Sequence, residues 1–74
     1  MNINFDPAVD ILYIQFQPSA KKAVETIKLR DGILIDIDKK GHVFGIEILD
    51  ASHRIPTEEL NNVNIHLPVH PATK

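Results

Sequence analysis

Seventy-four residues with a formal net charge of −2 and no cysteine describe a single small domain, 1–74, near the lower limit of what folds alone. Those figures exclude disulfide staples and Cys/His zinc sites, and the alternating charge signs give no basic footprint for nucleic acid. No apolar run approaches the ~20 residues of a membrane span, and the chain opens on strand-like sequence rather than a leader, so the expectation is a cytoplasmic protein off the membrane.

Asn2 to Phe5 alternates polar and apolar residues, with Ile3 and Phe5 on one side, as a short first strand does. Asp6-Pro7 starts a turn that Asp10 closes. Ile11 to Phe16 is a second strand, Leu12, Ile14 and Phe16 on one face and Tyr13 and Gln15 on the other. Pro18 to Lys22 is a loop, and Ala23 to Leu29 a third strand. Two glycine turns then set the registers of a hairpin at the centre of the sheet, Asp31 to Ser52. If Arg30-Asp31-Gly32 is a three-residue loop with Gly32 left-handed, Leu29 faces Ile33 and Ile27 faces Ile35. If Asp38-Lys39-Lys40-Gly41 is a four-residue loop, Ile35 faces Phe44, Ile33 faces Ile46 and Asp36 faces Val43. Slipping by one residue would turn every side chain over.

The expected core face is Leu12, Ile14, Phe16, Ile27, Leu29, Ile33, Ile35, Ile37, Phe44, Ile46 and Ile48. The reverse face mixes Thr26, Lys28, Asp36 and Glu47 with Leu34, Val43, Gly45 and Leu49, more apolar than a solvated face should be. Pro56-Thr57-Glu58-Glu59-Leu60 reads as a short helix with Thr57 as its cap. Val63 to Val69 alternates again, as an edge strand or an arm reaching a neighbouring molecule, with Pro68 confining it to an edge. The fold class is therefore mainly β (α+β): a small antiparallel β-meander sheet of about five strands, one short C-terminal helix over 56–60, and an extended tail to residue 70.

Ordering such a chain costs about 1.5 kcal/mol per residue, on the order of 110 kcal/mol. With disulfide and metal staples absent, association remains, and a homodimer or a protein partner is expected.

Candidate chemistry is sparse. Asp36, Asp38, Gly41 and Glu47 match the first, third, sixth and twelfth positions of an EF-hand loop. Lys40 stands where an oxygen ligand belongs, and the flanks are strands. In the expected register Asp36 and Glu47 lie roughly 13 Å apart, too far for one ion or for a glycosidase pair at about 5–9.5 Å. Ser52-His53 resembles a nucleophile and base, but neighbours on extended chain point apart, and the stretch reads as a capped strand end. His66 and His70 flank Pro68 on extended chain and read as surface residues. Phe5, Tyr13, Phe16 and Phe44 are too few for base stacking. No catalytic residue, metal or cofactor is expected.

Two blocks carry a family resemblance. Phe5-Asp6-Pro7-Ala8-Val9-Asp10-Ile11-Leu12-Tyr13-Ile14 and Asp36-Ile37-Asp38-Lys39-Lys40-Gly41-His42-Val43-Phe44-Gly45-Ile46-Glu47-Ile48-Leu49-Asp50-Ala51-Ser52 resemble, in order and separation, the bacterial and archaeal family catalogued as domain of unknown function 2283. The match spans Phe5 to Ser52, with Phe5 replacing a tyrosine and Ile37 an aromatic residue. The resemblance implies a small protein with no established activity, and neighbouring genes for small toxins in some members suggest an antitoxin-like partner. It singles out Asp10, Tyr13, Asp36, Asp38, Gly45, Glu47, Asp50 and Ser52. The leading expectation is a non-enzymatic interaction module; the alternative is a small enzyme or ligand- or metal-binding domain with Asp36 and Glu47 at a subunit interface.

Overall fold

A computed structural model, describing residues 1–68, shows five strands and two short helices. The strands are β1 (Asn2–Asp6), β2 (Ile11–Gln15), β3 (Glu25–Arg30), β4 (Ile33–Ile37) and β5 (Val43–Leu49), followed by α1 (Ala51–Arg54) and a 3-10 helix (Thr57–Asn61). All pairings are antiparallel. The strand order is β1-β2-β5-β4-β3, so the sheet is not a simple meander. The hairpin β4–β5 is inserted beside β2, and residues 16–24 carry the chain across the sheet end to β3.

Local chemistry explains most boundaries. Asp6 accepts the Ala8 amide at 3.0 Å, setting the first turn after Pro7. Gly32 and Gly41 both take positive φ, 80° and 84°, the conformation a Cβ disfavours. Asp38 Oδ1 accepts the Lys40 and His42 amides at 2.9 and 2.8 Å, so the side chain organises its own turn.

Both hairpin registers differ in detail from the sequence expectation. Ile27 faces Ile35 as expected, but Arg30, not Leu29, faces Ile33, because Leu29 is the extra residue of a bulge. On the other side Ile33 faces Ile48, Ile35 faces Ile46 and Asp36 faces Gly45, with a second irregularity before Ile37↔Val43. Each expected β4–β5 pair is displaced by two residues, so every side chain keeps its face.

One face therefore carries Ile3, Phe5, Leu12, Ile14, Ile46, Ile48, Ile33, Ile35 and Ile27. Among the described residues the buried ones are Leu12, Ala51 and Gly45. Phe16 and Ile27 each remain 43% exposed and Leu29 61%, so these three expected core members are surface residues of the isolated chain.

The C-terminal expectations also change. β5 ends at Leu49, in line with the capped strand end read from the sequence, and Asp50, left-handed at φ 51°, turns the chain directly into α1, a helix the sequence does not announce. Pro56, not Thr57, precedes the second helix, which is 3-10 and has no side-chain cap. Val63 to Leu67 forms no strand within the chain; Val69 and His70 lie outside the described residues. No helix among the described residues is long and apolar enough to cross a membrane.

Candidate functional site

The residues singled out by the sequence fall into three hydrogen-bonded units. The first crosses the polar sheet face. Tyr13 on β2 pairs with Glu47 on β5, and its hydroxyl donates to Asp36 Oδ2 on β4 at 2.7 Å. To get there the ring passes over Gly45, where an added Cβ would strike the Tyr13 hydroxyl and ring. Thr26 on β3 donates to Asp36 Oδ1, also at 2.7 Å. Side chains of three strands, and a bare position on a fourth, thus make one line across the sheet. Burial pushes the Tyr13 phenol up to about 12, and the bond to Asp36 and the nearby charges of Asp36 and Glu47 push the same way.

The displaced register also corrects the spacing of the two acids. Asp36 faces Gly45, two residues from Glu47, so the pair is diagonal, about 7–8 Å between backbones, not the roughly 13 Å of the expected register. What separates them chemically is occupancy: both Asp36 oxygens are already acceptors.

The second unit closes the far end of the sheet. Asp10, at φ 57°, accepts the Ser52 amide on Oδ1 at 2.9 Å and the Ser52 hydroxyl on Oδ2 at 2.7 Å. Its carbonyl accepts the Ala51 amide at 3.0 Å. Asp50 sits at the cap position without capping, so Asp10 satisfies the α1 amides of Ala51 and Ser52 from a distant turn, 42 residues before Ser52 in sequence. Hydrogen bonds from the Ser52 side chain and then its amide hold the Asp10 carboxyl below the usual range, with a smaller contribution from His53. Ser52 Oγ is 3.5 Å from His53 Nδ1, but its proton is directed at Asp10. The two neighbours lie in a helix, not on extended chain, and still form no activated pair. Asp10, Asp50 and His53 place one donor atom each within 4.8 Å of one another. These are the described residues with the spacing to hold a metal, but both Asp10 oxygens already serve Ser52.

The third unit is the Asp38 turn. Gln17 Nε2 donates to Asp38 Oδ2 at 3.0 Å and to the Val43 carbonyl at 3.0 Å, which fastens loop 16–24 to the β4–β5 turn. The Gln17 bond leads in lowering the Asp38 carboxyl, with the His42 and Lys40 amides adding to it. The EF-hand spacing thus has strands as its flanks and an aspartate occupied with amides. Thr26 and Gln17 are not marked by any sequence pattern, because each acts through a partner at least ten residues away.

Two units set an acid limit on stability. Asp10 and Asp38 both fall below the ordinary 3.8, so their contribution is complete above pH 3.8. It is lost as pH falls through their lower folded-state values, because the unfolded chain takes up protons first. Urea midpoints measured from pH 5 to pH 2 should drop less in Asp10→Asn/Asp38→Asn than in the parent chain. Parallel curves would remove both carboxylates from the acid transition.

With the geometry of the motif residues described, the comparison of sequences is decisive. The family described as "Protein of unknown function (DUF2283)" matches residues 2–52. The chain belongs to the DUF2283 family. The family segment ends on Ser52, the partner of Asp10, so it contains all three units and the whole sheet. No curated protein and no solved structure matches the chain.

Proposed function

We propose that this DUF2283 protein is a non-enzymatic interaction module that assembles as a homodimer, sheet against sheet, through its apolar face. The observation that carries the reading is that face: nine apolar positions in register on four paired strands and their edge, with only Leu12 among them buried. A single sheet needs a second layer to hide such a surface. Its charged positions are Glu25, opposite Ile37, and Arg30, opposite Ile33, both at the ends of the edge strand β3, so a second copy meets no like charge across the centre.

The area suits a small dimer. Five strands at about 4.8 Å spacing and about five residues at 3.4 Å give a footprint of about 400 Å² in projection, and more as corrugated accessible surface. Two copies therefore reach the ~1,000 Å² that a specific interface requires. At about 25 cal/mol/Å² that is about 25 kcal/mol gross, against about 4–15 kcal/mol for association.

Sedimentation equilibrium at micromolar concentration should give twice the 8.3 kDa chain mass, and the melting temperature should rise with protein concentration, as it must for a dimer coupled to folding. Ile35→Glu should abolish both the dimer and cooperative unfolding, while Leu34→Glu on the opposite face should retain the dimer. A folded monomer whose melting temperature ignores concentration would overturn the reading, and so would a mass that includes a different protein in place of the second copy.

A further inference from the structure

The crossing of the chain from β2 to β3 has a second result at the end of the sheet opposite Asp10. Loop 16–24 passes beside the β4–β5 turn and is pinned there by Gln17. Between them lies an open groove of about 480 Å³, walled by Lys21 and Lys22 from the loop and by Lys39, Lys40 and His42 from the turn. These two lysine pairs are 18 residues apart in sequence, and nothing local in either pair indicates that they meet.

We propose that this groove binds a compact, multiply charged anion, in the chemical class of a pyrophosphate or a phosphorylated small molecule. Half of the eight Lys and Arg residues of the chain line it. Asp38 is the one carboxylate there, and its oxygens are engaged by the Lys40 and His42 amides and the Gln17 side chain. Among the described residues the ion pairs are Lys28–Asp31, His42–Asp38 and His53–Asp10, so none of the four groove lysines is paired. Four ammonium groups against one carboxylate leave the groove at +3 with His42 neutral. A chain at −2 overall then carries −5 elsewhere.

That imbalance selects the ligand. The volume lies in the range of small-ligand sites, about 300–1,000 Å³. Lysines act as point charges suited to phosphate oxygens, and several oxygens are needed to engage four of them. No Phe, Tyr or Trp lines the groove, so a strand of bases has at most the single His42 imidazole to stack on. A nucleic-acid strand needs cationic surface beyond the groove, and the rest of the chain carries a net −5, whereas a compact anion is contained by the groove. The groove is built from loops, so it stands whether or not the apolar face pairs.

Titration calorimetry of the full chain with inorganic pyrophosphate tests this. One saturable site per chain is expected, with orthophosphate weaker by about tenfold, a difference of about 1.4 kcal/mol. Lys22→Gln/Lys39→Gln should weaken pyrophosphate by at least about tenfold with an unchanged far-ultraviolet spectrum, and Lys28→Gln should leave binding as it was. Absence of saturable binding at millimolar pyrophosphate would overturn the proposal. Equal affinity in the double lysine variant would do the same. A single-stranded oligonucleotide that outcompetes pyrophosphate at equal phosphate concentration would replace the compact anion with nucleic acid.

Discussion

Gly45→Ala should lower the stability of the protein by about 2–3 kcal/mol, the range expected when a methyl group is forced into occupied space. The new Cβ would overlap the Tyr13 ring and hydroxyl and come within 2.9 Å of the Ile14 carbonyl. The ring cannot swing away freely, because its hydroxyl is tied to Asp36, and the carbonyl belongs to the neighbouring strand. Urea unfolding at one fixed protein concentration measures the loss. Repeating the substitution in a Tyr13→Ala background separates the two contacts: the cost should fall substantially once the ring is gone. An unchanged cost would assign the effect to the Ile14 backbone and take Tyr13 out of the explanation for Gly45. A Gly45→Ala chain as stable as its parent would contradict the close approach itself.

The second large effect is spectroscopic. Tyr13 is the sole tyrosine, and there is no tryptophan, so phenolate absorbance reports one side chain. Its midpoint should lie near 12 in the folded protein, against the model-compound value of 10.0, and near 10.0 once denaturant is added. Asp36→Asn should bring the folded midpoint part of the way down, because burial, the larger cause, persists. The linkage has a definite sign. With the folded value above the unfolded one, the Tyr13 contribution is complete below pH 10 and is lost as pH rises through 12. Alkaline unfolding in that window should be steeper for the parent than for Tyr13→Phe. The same variant should be less stable at neutral pH by about 1–2 kcal/mol, the worth of a hydrogen bond to a charged acceptor at a partly exposed site. A folded midpoint near 10.0 would mean that the hydroxyl is solvated and that the line from β3 to β2 is broken.

Much of this architecture was legible in the residues, and the failures share a cause. Alternation placed Leu12, Ile14, Ile35 and Ile46 on one face, and the glycines marked both hairpin turns. Alternation has period two, so it cannot distinguish registers that differ by two residues. Phe44, Ile46 and Ile48 are interchangeable partners under that rule, and the bulges that decided among them depend on strand twist rather than composition. The difference matters at the polar face: with Asp36 set opposite Val43, nothing in the register puts Gly45 beside Asp36, which is where Tyr13 crosses. The strand order was hidden for a similar reason, since β2 offers the same apolar face to either β3 or β5. Asp10 reads from the sequence as the end of a turn and Ser52 as part of a capped strand end, and only the family resemblance sets the two among the same motif residues. Their contact joins residues 42 apart, and no local pattern predicts it.

The strand order also dictates a sequence of events. The β1–β2 hairpin and the β3–β4–β5 meander each close over turns of a few residues. The pairing that unites them joins Ile11–Gln15 to Gly45–Leu49, separations of 30 to 38 residues. Closing so long a segment is entropically dearer than closing a turn, and contacts of that range slow folding. The Tyr13–Asp36 and Asp10–Ser52 bonds exist only after that docking. Two locally formed pieces thus meet late, and the polar groups that span their seam act as a latch on assembly already completed elsewhere.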